Sequence, residues 1–449
     1  MTTIAVILAA GEGTRMCSNL PKVLHPILGK PIAQYALDAV ASISDKEPIL
    51  VVGHKADEVK QALPENTRYV YQAEQLGTGH AVQQAEKLLT GNTDFVLVTY
   101  ADMPLLRSET LENLVETQKN NQGPLTMLTV ILDDPHGFGR IIRNEDGEVQ
   151  AIVEEADASP KQREVKELNA GVYCFSSAWL WKAINNLKLS PKGEYYLTDL
   201  VEAAVSEGLK VCTVSTNEQS ELIGVNTRVH LAEAAKIIQE RINHAWMLSG
   251  VTIADPHTTY IEPAVTIAAD TVILPNTHLQ GVTKIGAECV IGPNAIVRDS
   301  QIGNYCKIEA SVVESAILED HVDIGPFGHL RKGAHLAEGV HMGNFGEVKA
   351  SYLGSGTKMG HFSYIGNTTT GENVNIGAGT ITCNYDGSQK HKTQIGNGVF
   401  IGSDTMLVAP VTLEDEARTG AGAVVTKDVP AKTVVVGVPA RALRKIESE

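Results

Sequence analysis

Apolar side chains recur at every sixth position through most of the second half of the 449-residue chain. This period is typical of a parallel β-helix, in which every sixth side chain points into a narrow core and small residues turn the corners. A β-sandwich, the alternative, would need alternation at period two and hairpin signals. The register slips near Ile302 and then resumes. The repeat positions are Ile267, Ile273, Leu279, Ile285, Ile291 and Val297, then Ile324, Leu330, Leu336, Met342 and Val348, then Leu353, Met359 and Ile365, and finally Ile395, Ile401, Leu407 and Leu413.

The glycine distribution supports the same interpretation. Of 40 glycines, 15 fall in residues 1–226 and 25 in residues 227–449, as expected where many tight corners must be turned. One segment, TCNYDGSQKHKTQ at residues 382–394, interrupts the repeat. Loops that leave a regular scaffold often carry binding residues, so we expect this one to project and to contribute to a site.

The first part of the chain has a different pattern, in which apolar strand-like runs alternate with helical stretches. This alternation predicts an α/β domain of Rossmann-like type around a mostly parallel sheet, with ligands beyond the carboxyl ends of the strands. Residues 227–248 contain no glycine or proline and show helical apolar spacing. We therefore expect a catalytic domain at residues 1–226, a linker helix at 227–248, and the β-helix domain at 249–449.

Charge and composition restrict the classes of partner. The chain carries 37 Lys+Arg against 53 Asp+Glu, a formal net charge of −16, which argues against a nucleic-acid binder and favours small-molecule partners. No apolar run approaches the roughly 20 residues of a membrane helix, and no basic leader precedes the first strand. Six widely spaced cysteines suggest neither a disulfide framework nor a zinc site. We expect a cytoplasmic protein with no membrane contact.

A glycine-rich turn follows the first strand, in the run LAAGEGTR at residues 8–15. Small residues there let backbone N–H groups approach phosphates, and Arg15 and Lys22 supply cations. The run is neither G-x-G-x-x-G nor a Walker A motif, so by itself it is also compatible with a structural turn. Asp102 ends a later strand, where it could bind Mg²⁺ or merely cap a turn.

The combination of motifs is more specific than any one of them. LAAGEGTR with PKVL at residues 21–24, followed by QAEQLGTGHA at residues 72–81, resembles the sugar-1-phosphate nucleotidyltransferases. Within that group, the chain is similar over essentially its whole length to the bifunctional enzymes that join N-acetylglucosamine-1-phosphate uridylyltransferase to glucosamine-1-phosphate acetyltransferase. The resemblance implies UTP, acetyl-CoA and the two sugar phosphates as substrates, and Mg²⁺ as cofactor.

The resemblance also implies roles for residues of the first domain. Arg15 and Lys22 would neutralise the triphosphate, with Arg15 catalytic, and Asp102 and Asn226 would bind Mg²⁺. Two departures are visible, because Glu12 stands where the family often has Lys, and Ala101 where it usually has Gly. The implied UTP and UDP-N-acetylglucosamine contacts are Leu8, Ala9, Ala10, Gly11, Lys22, Gln72, Gly77, Thr78, Tyr100, Ala101, Gly139, Glu154, Asn169 and Asn226. Among them, Gly139, Glu154 and Asn169 would contact the N-acetylglucosamine sugar.

Two segments of the repeat domain, GHFSYIG at residues 360–366 and NVNIGAGTITCNYDG at residues 373–387, resemble the acetyltransferase half. The resemblance implies a left-handed β-helix that forms a homotrimer. His361, whose imidazole can accept a proton at neutral pH, would be the general base, oriented by Glu347. The other implied contacts are Arg331 and Lys349 to the sugar phosphate, Tyr364 and Asn375 to its sugar, and Ala378, Asn384, Tyr385, Ser403 and Ala421 to acetyl-CoA.

One further departure lies near the C-terminus, where Gly437 stands at the position of an Arg that the family often carries before Val-Pro. Arg441 is the candidate to replace that contact to CoA. The leading hypothesis is therefore a two-site enzyme that acetylates glucosamine-1-phosphate and couples the product to UTP. The alternative is a broader sugar-1-phosphate nucleotidyltransferase with a mainly structural β-helix. A non-catalytic regulatory subunit is less favoured, because Arg15 and Asp102 are both present.

Overall fold

The computed structural model describes residues 1–133 and 137–445. The chain divides into two compact units, Met1–Ile238 and the part from Gln239 onward, and the boundary lies inside the longest helix, Arg228–Leu248. None of the helices in the described ranges combines the length and apolarity needed to span a bilayer.

The first unit is built on a mixed sheet with the strand order β11-β7-β10-β6-β1-β4-β5. All pairs on this path are parallel except those of β10, which is antiparallel to β6 and β7. β8 joins β10 and pairs with β9, while β2 and β3 form a separate short pair. The strands are β1 (Thr3–Ala9), β2 (Pro26–Ile27), β3 (Lys30–Pro31), β4 (Ile49–Val52), β5 (Arg68–Tyr71), β6 (Phe95–Tyr100), β7 (Leu125–Ile131), β8 (Arg140–Arg143), β9 (Val149–Val153), β10 (Glu167–Ser176) and β11 (Val211–Thr216).

Helices pack on both faces of this sheet. β1 is buried along its whole length, and its alternate side chains enter two different apolar cores, with Ala5 and Ile7 on one face and Ile4 and Val6 on the other. A strand covered on both faces has a continuous apolar run, as this one does. The helices are α1 (Ile32–Val40), α2 (Ala56–Ala62), α3 (Thr78–Gln83), α4 (Glu86–Leu89), α5 (Ser108–Asn120), α6 (Pro160–Arg163), α7 (Ser177–Ile184), α8 (Asp199–Ser206) and α9 (Arg228–Leu248), with 3₁₀ turns at Thr14–Met16, Lys22–Leu24 and Gln219–Leu222.

The second unit is a parallel β-helix with three faces, each formed by short strands of successive coils. The first face comprises Thr252–Ile253, Val272–Ile273, Val290–Ile291, Lys307–Ile308, Asp323–Ile324, His341–Met342, Lys358–Met359, Asn375–Ile376, Phe400–Ile401, Arg418–Thr419, Thr433–Val436 and the antiparallel Arg441–Lys445. The second face comprises Tyr260–Ile261, His278–Gln280, Ile296–Arg298, Val312–Glu314, His329–Leu330, Gly346–Lys349, Ser363–Gly366, Ile381–Cys383, Met406–Val408 and Val424–Val425. The third face comprises Thr266–Ile267, Lys284–Ile285, Gln301–Ile302, Ile317–Leu318, His335–Leu336, Tyr352–Leu353, Thr368–Thr370, Thr393–Ile395 and Val411–Leu413. The sequence prediction of an α/β domain followed by a hexapeptide β-helix is thereby confirmed.

The slip near Ile302 does not interrupt the β-helix. Ile302 and Ile308 are both buried and pair in register with neighbouring coils. The preceding corner is one residue shorter than most, as are those before Leu318 and Leu353, and it turns at Asp299, whose φ of 49° lies in the left-handed region. Shortening a corner keeps the core position on the same face while changing its spacing from six to five. The projecting loop is also shorter than predicted, because it spans residues 384–392 between strands Ile381–Cys383 and Thr393–Ile395.

We predict that Leu407→Ala destabilises the β-helix. Leu407 is fully buried in the repeat core, and truncating a buried leucine costs about 2–5 kcal/mol through lost burial and the cavity left behind. The measurement is the free energy of unfolding from urea titration followed by circular dichroism. Leu443→Ala is the control, since 64% of Leu443 is exposed. Equal losses in the two variants would contradict this account of the core.

Candidate active sites

The carboxyl ends of β1, β4 and β6 lie at one edge of the first sheet, because these strands are parallel and in register. Leu8 of β1 pairs with Tyr100 of β6, so the glycine-rich turn and the segment that carries Asp102 begin side by side. A cavity of about 530 Å³ opens at this edge. It brings together the predicted residues Leu8, Ala9, Ala10, Gly11, Arg15, Lys22, Gln72, Gly77, Thr78, Tyr100 and Asp102.

Two cations and two oxygen ligands meet at one end of this cavity. The Lys22 ammonium lies 2.5 Å from the Asp102 carboxylate and 3.1 Å from the Asn226 amide oxygen. Arg15 donates to the same amide oxygen at 3.1 Å. The backbone N–H of Val225 donates to the carbonyl of Asp102 at 2.8 Å, which fixes the segment with Asn226 beside that of Asp102. Residues more than 100 positions apart thus converge on one point.

The donor set of this point suits a magnesium ion. The carboxylate of Asp102 and the amide oxygen of Asn226 both bind the Lys22 ammonium, so they face the same small volume. Mg²⁺ prefers oxygen ligands and usually takes only one or two protein carboxylates together with waters and substrate phosphates. Within the described residues, no three His, Cys, Asp or Glu side chains cluster to form a complete cage. The two oxygens therefore fit an ion that is bound together with phosphate.

The far side of the cavity is tied together by the segment around Gly77. Gln72 is nearly fully buried and donates to the carbonyl of Gly77 at 3.1 Å. The hydroxyl of Thr78 accepts from the backbone N–H of Leu197 at 3.0 Å, and the N–H of Tyr195 donates to the carbonyl of Leu76 at 2.8 Å. This segment is consequently held in place from two sides.

Ala101 lies beneath the cavity rather than in its wall. Its side chain is fully buried and its N–H donates to the carbonyl of Leu8 at 3.0 Å. Glu12, the other departure from the family pattern, is exposed.

A second cavity, of about 330 Å³, adjoins the first and shares Thr78, Tyr100 and Tyr196 with it. Glu154 and Asn169, two of the predicted sugar contacts, line it together with Lys192 and Tyr173. The third, Gly139, accepts a hydrogen bond from the N–H of Asn169 at 2.8 Å. The Asn169 amide donates to the Tyr173 hydroxyl at 2.8 Å and accepts from the N–H of Gly171 at 3.0 Å.

Burial and neighbouring charges shift the ionisation of this second cavity. Burial raises the pKa of Tyr100, and the charges of Asp102 and Glu154 raise it further, so the phenol stays protonated. Burial likewise raises the pKa of Glu154, with additional contributions from Asp157 and Asp199. Lys192 and Arg140 oppose that rise.

The predicted phosphate ligands of the β-helix lie on adjacent coils of the second face. Glu347 pairs with Tyr364 across the face, and Arg331 donates to the Glu347 carboxylate at 2.8 Å. The charges of Arg331 and of Lys390 lower the pKa of Lys349. Lys390 belongs to loop 384–392 and was missed from sequence. The sequence shows that this interrupting loop contains cations, but it does not show which part of the β-helix the loop folds against.

His361 is exposed at the corner between the strands Lys358–Met359 and Ser363–Gly366. Within the part of the chain that the structure describes, its imidazole makes no hydrogen bond or ion pair. Glu347, the residue predicted to orient it, is bonded instead by Arg331. Asn375, a predicted sugar contact, lies on the first face in register with Lys358 and Phe400.

The predicted acetyl-CoA contacts fall into two groups. Ala378, Ser403 and Ala421 occupy one corner on three successive coils, where the Ala378 carbonyl accepts from the N–H of Asp404 at 2.6 Å and the Ser403 carbonyl accepts from the N–H of Gly422 at 2.8 Å. We name these three residues the corner column.

The second group lies at the projecting loop. The amide of Asn384 donates to the Asn367 side chain at 2.7 Å and lies 3.5 Å from the hydroxyl of Tyr364. Tyr385 is exposed. Gly437 turns the corner after the strand Thr433–Val436, and Arg441 lies opposite Val436.

Comparisons with known proteins match both units. The nucleotidyl transferase family model matches residues 4–247, and the bacterial transferase hexapeptide model, of six repeats, matches residues 264–299 and 392–427. The chain is therefore a nucleotidyltransferase joined to a hexapeptide-repeat transferase.

Curated relatives match nearly the whole length. Bifunctional protein GlmU of Heliobacterium modesticaldum is 46% identical over 433 residues, which cover 96% of this chain and 94% of that protein. The protein of the same name from Streptococcus thermophilus is 46% identical, with coverage of 97% and 95%, and that from Halalkalibacterium halodurans is 44% identical, with coverage of 96% and 95%. A solved structure of a putative glucose-1-phosphate thymidylyltransferase from Bacillus anthracis is 22% identical, with a TM-score of 0.45 over 53% of this chain and 95% of that one.

The chain belongs to the GlmU family. It is a bifunctional enzyme that acetylates glucosamine-1-phosphate and transfers the uridylyl group of UTP to N-acetylglucosamine-1-phosphate. The broader nucleotidyltransferase with a mainly structural β-helix is the less favoured alternative.

We predict that Gly77→Ala strongly impairs uridylyl transfer. Gly77 has a φ of +96°, and an added Cβ would lie 2.7 Å from the carbonyl oxygen of Tyr195, so the segment that lines the cavity must shift. Gly91→Ala is a matched control, because Gly91 also has a positive φ of +73° but an added Cβ would meet nothing within 4 Å. Steady-state kinetics with UTP separates the two effects. If Gly77→Ala and Gly91→Ala lowered uridylyl transfer by the same factor, backbone strain alone rather than the contact with Tyr195 would be responsible.

Proposed function

We propose that the two adjoining cavities of the first unit are the uridylyltransferase site, and that the second face, its loop and the corner column of the β-helix are the acetyltransferase site. The observation that carries the first assignment is the convergence of Lys22, Arg15, Asp102 and Asn226 at one point. The three cations Arg331, Lys349 and Lys390 beside Tyr364 support the second. The product of acetyl transfer is then the acceptor for uridylyl transfer.

Uridylyl transfer needs positioning and charge neutralisation rather than a nucleophilic side chain. The phosphate oxygen of the sugar attacks the α-phosphorus of UTP in line, a P–O bond forms, and pyrophosphate leaves. Arg15 and Lys22 reduce the negative charge of the triphosphate, and Arg15 acts where charge develops on the leaving oxygens. Leu8, Gln72 and the segment around Gly77 enclose the nucleoside.

We assign Mg²⁺ to Asp102 and Asn226. The bound ion supplies positive charge to the phosphates. Lys22 lies next to both oxygens, 2.5 Å from the Asp102 carboxylate and 3.1 Å from the Asn226 amide oxygen. With an ion held by these two oxygens, the Lys22 ammonium would neutralise a phosphate oxygen beside it.

The adjoining cavity of about 330 Å³ takes the N-acetylglucosamine group. The Glu154 carboxylate accepts hydrogen bonds from sugar hydroxyls, while Asn169 and the backbone of Gly139 complete the contact. Tyr100 separates the sugar from the phosphate end, since it lines both cavities.

In the acetyltransferase site, His361 accepts a proton from the amine of glucosamine-1-phosphate, an imidazole function at neutral pH. The amine nitrogen attacks the thioester carbon, the new C–N bond forms, the C–S bond breaks, and CoA leaves as the thiol after its sulfur takes the proton from His361. Arg331, Lys349 and Lys390 bind the phosphate. Tyr364 and Asn375 hold the sugar of glucosamine-1-phosphate. Asn384, a predicted acetyl-CoA contact, lies 3.5 Å from the hydroxyl of Tyr364, so it stands beside both substrates.

Acetyl-CoA extends from Asn384 and Tyr385 along the corner column, and Arg441 contacts its phosphates in place of the Arg that the family often carries at the position of Gly437. We also propose a homotrimer of left-handed β-helices, in which a neighbouring copy completes the acetyl-CoA contacts. In that trimer the exposed His361 would take part of its surroundings from the neighbouring copy.

The domain assignment that follows is a uridylyltransferase domain at residues 1–226, a linker helix at 227–248 and an acetyltransferase domain at 249–449. We place the enzyme in the cytoplasm, where UTP and acetyl-CoA are made.

We predict that Asp102→Ala lowers kcat of uridylyl transfer by about 100-fold or more, because one of the two ion ligands and its charge are lost. The assay measures pyrophosphate release from UTP and N-acetylglucosamine-1-phosphate over a range of Mg²⁺ concentrations. Folding should persist, since the bond from Val225 is to the backbone carbonyl of residue 102. The exposed Glu145→Ala is the control for a lost carboxylate. Turnover of Asp102→Ala near that of the parent enzyme would refute the assignment of the ion.

We predict that His361→Ala lowers acetyl transfer by about 10²–10⁴-fold, the usual contribution of a general base. Uridylyl transfer to preformed N-acetylglucosamine-1-phosphate should be unchanged. His278→Ala serves as control, because His278 stacks on Tyr260 elsewhere in the β-helix. Thiol release from acetyl-CoA and pyrophosphate release report the two activities separately. Loss of both activities in His361→Ala would indicate a folding role instead.

A further inference from the structure

A buried cation lies next to the proposed sugar cavity. Arg140 begins β8 and is only 1% exposed, the largest of the fully buried side chains among the described residues. Its backbone pairs with Val153 of β9 and with Leu168 of β10. These are the residues that directly precede Glu154 and Asn169, so Arg140 stands between the two strands that carry the proposed sugar contacts. A buried charge is costly unless it is paired, and the pairing of Arg140 therefore indicates what it does.

The partners of Arg140 fasten the turn at residues 137–139. One guanidinium nitrogen, Nη1, donates to the carbonyl of Phe138 and lies 3.6 Å from the Glu155 carboxylate. The same Glu155 oxygen accepts from the backbone N–H of Gly137. Arg140 and Glu155 together thus bind the turn at two of its three residues. The third, Gly139, is bonded through its carbonyl to the N–H of Asn169 at 2.8 Å.

This turn lies directly against the carboxylate of the sugar cavity. A Cβ placed on Gly139 would be 3.6 Å from Glu154 Oε1 and 2.8 Å from the Ile152 side chain. Any displacement of the turn would therefore change the wall of the cavity beside Glu154. The contacts of Arg140 and Glu155 oppose such a displacement, together with the bond from Asn169 to Gly139.

The charge of Arg140 also acts on Glu154. Burial raises the pKa of the Glu154 carboxyl, and the charges of Asp157 and Asp199 raise it further. Only Lys192 and Arg140 oppose this among the groups that act on Glu154 in the described chain. The two phenols that face Glu154, Tyr100 and Tyr173, remain protonated because burial raises the pKa of each.

We propose that Arg140, held by Glu155, is a positioning residue for recognition of the sugar phosphate. It fixes the turn at residues 137–139 against Glu154 and Asn169, and it supplies a positive charge that maintains Glu154 as a hydrogen-bond acceptor. The inference rests on the proposed placement of the N-acetylglucosamine group in this cavity. It adds to that placement two residues, Arg140 and Glu155, that do not themselves touch substrate.

The test compares Arg140→Met, Arg140→Lys and Glu155→Gln in the full-length enzyme, with KM for N-acetylglucosamine-1-phosphate and for UTP measured separately. We expect Arg140→Met to raise KM for the sugar phosphate about tenfold, the size of one lost charge-assisted hydrogen bond, with KM for UTP changed less than about twofold. Arg140→Lys should recover part of the loss. Glu155→Gln keeps the side-chain volume at a partly exposed position, so it reports on the same contact even if Arg140→Met fails to fold.

The pH dependence of kcat/KM distinguishes loss of the Arg140 charge from loss of packing, because loss of packing alone would leave it unchanged. Glu154 must be deprotonated to accept hydrogen bonds, and removing the positive charge of Arg140 raises its pKa. The acidic limb of kcat/KM for the sugar phosphate should therefore shift to higher pH in Arg140→Met. Arg143→Met is the matched control on the same strand, because Arg143 pairs with Glu167 at 2.7 and 2.6 Å, away from the cavity.

Glu154→Gln distinguishes failure of this inference from failure of the proposed function. If Glu154→Gln leaves KM for the sugar phosphate unchanged, the placement of the sugar is wrong and the inference falls with it. If Glu154→Gln raises that KM but Arg140→Met and Glu155→Gln do not, the sugar placement stands and the positioning role is overturned. Equal increases in KM for both substrates, with no shift of the acidic limb, would also overturn it.

Discussion

Parallel pairing in register determines where the chemistry lies in both units. In the first unit it places the ends of β1, β4 and β6 at one edge, so that the turn after Leu8 and the segment after Tyr100 meet. In the second unit it stacks equivalent positions of successive coils, so that Glu347 and Tyr364 become neighbours although 17 positions separate them in the chain. Neither site would exist if one of these strands slipped by a residue, because a slip turns every side chain of the strand to the other face.

The two sites share a way of keeping cations available for phosphate. Lys22 is paired with Asp102 at 2.5 Å, and Arg331 is paired with Glu347 at 2.8 Å. The second pair is about 40% exposed, and pairs of this kind contribute little to stability, so exchange of the carboxylate for a phosphate costs little. On the proposed site assignment, such local cations would account for the binding of anionic substrates by a chain with a net charge of −16.

The α/β domain, the period of six and the nucleotide cavity could be predicted because they depend on local pattern. Eleven residues that the family resemblance implied as contacts line one cavity, and among them the local pattern alone indicated the glycine-rich turn at residues 8–15, Lys22 and Asp102. Short corners such as that at Asp299 could not be predicted, because a missing residue changes the spacing without changing the face. Lys390 was missed because the path of loop 384–392 depends on tertiary contacts. Arg140 was missed as well, because sequence pattern does not show that a charged side chain is buried.

The last strand of the first face, Arg441–Lys445, runs against the direction of all the others on that face. A parallel β-helix that simply stopped would present an open edge of unpaired N–H and C=O groups, onto which another coil could add. The reversed strand occupies that edge itself and presents Arg441, Arg444 and Lys445 there. Positive charges on an edge strand repel a second copy of the same edge. The reversed strand therefore covers the edge of Thr433–Val436 and disfavours addition of a second copy there.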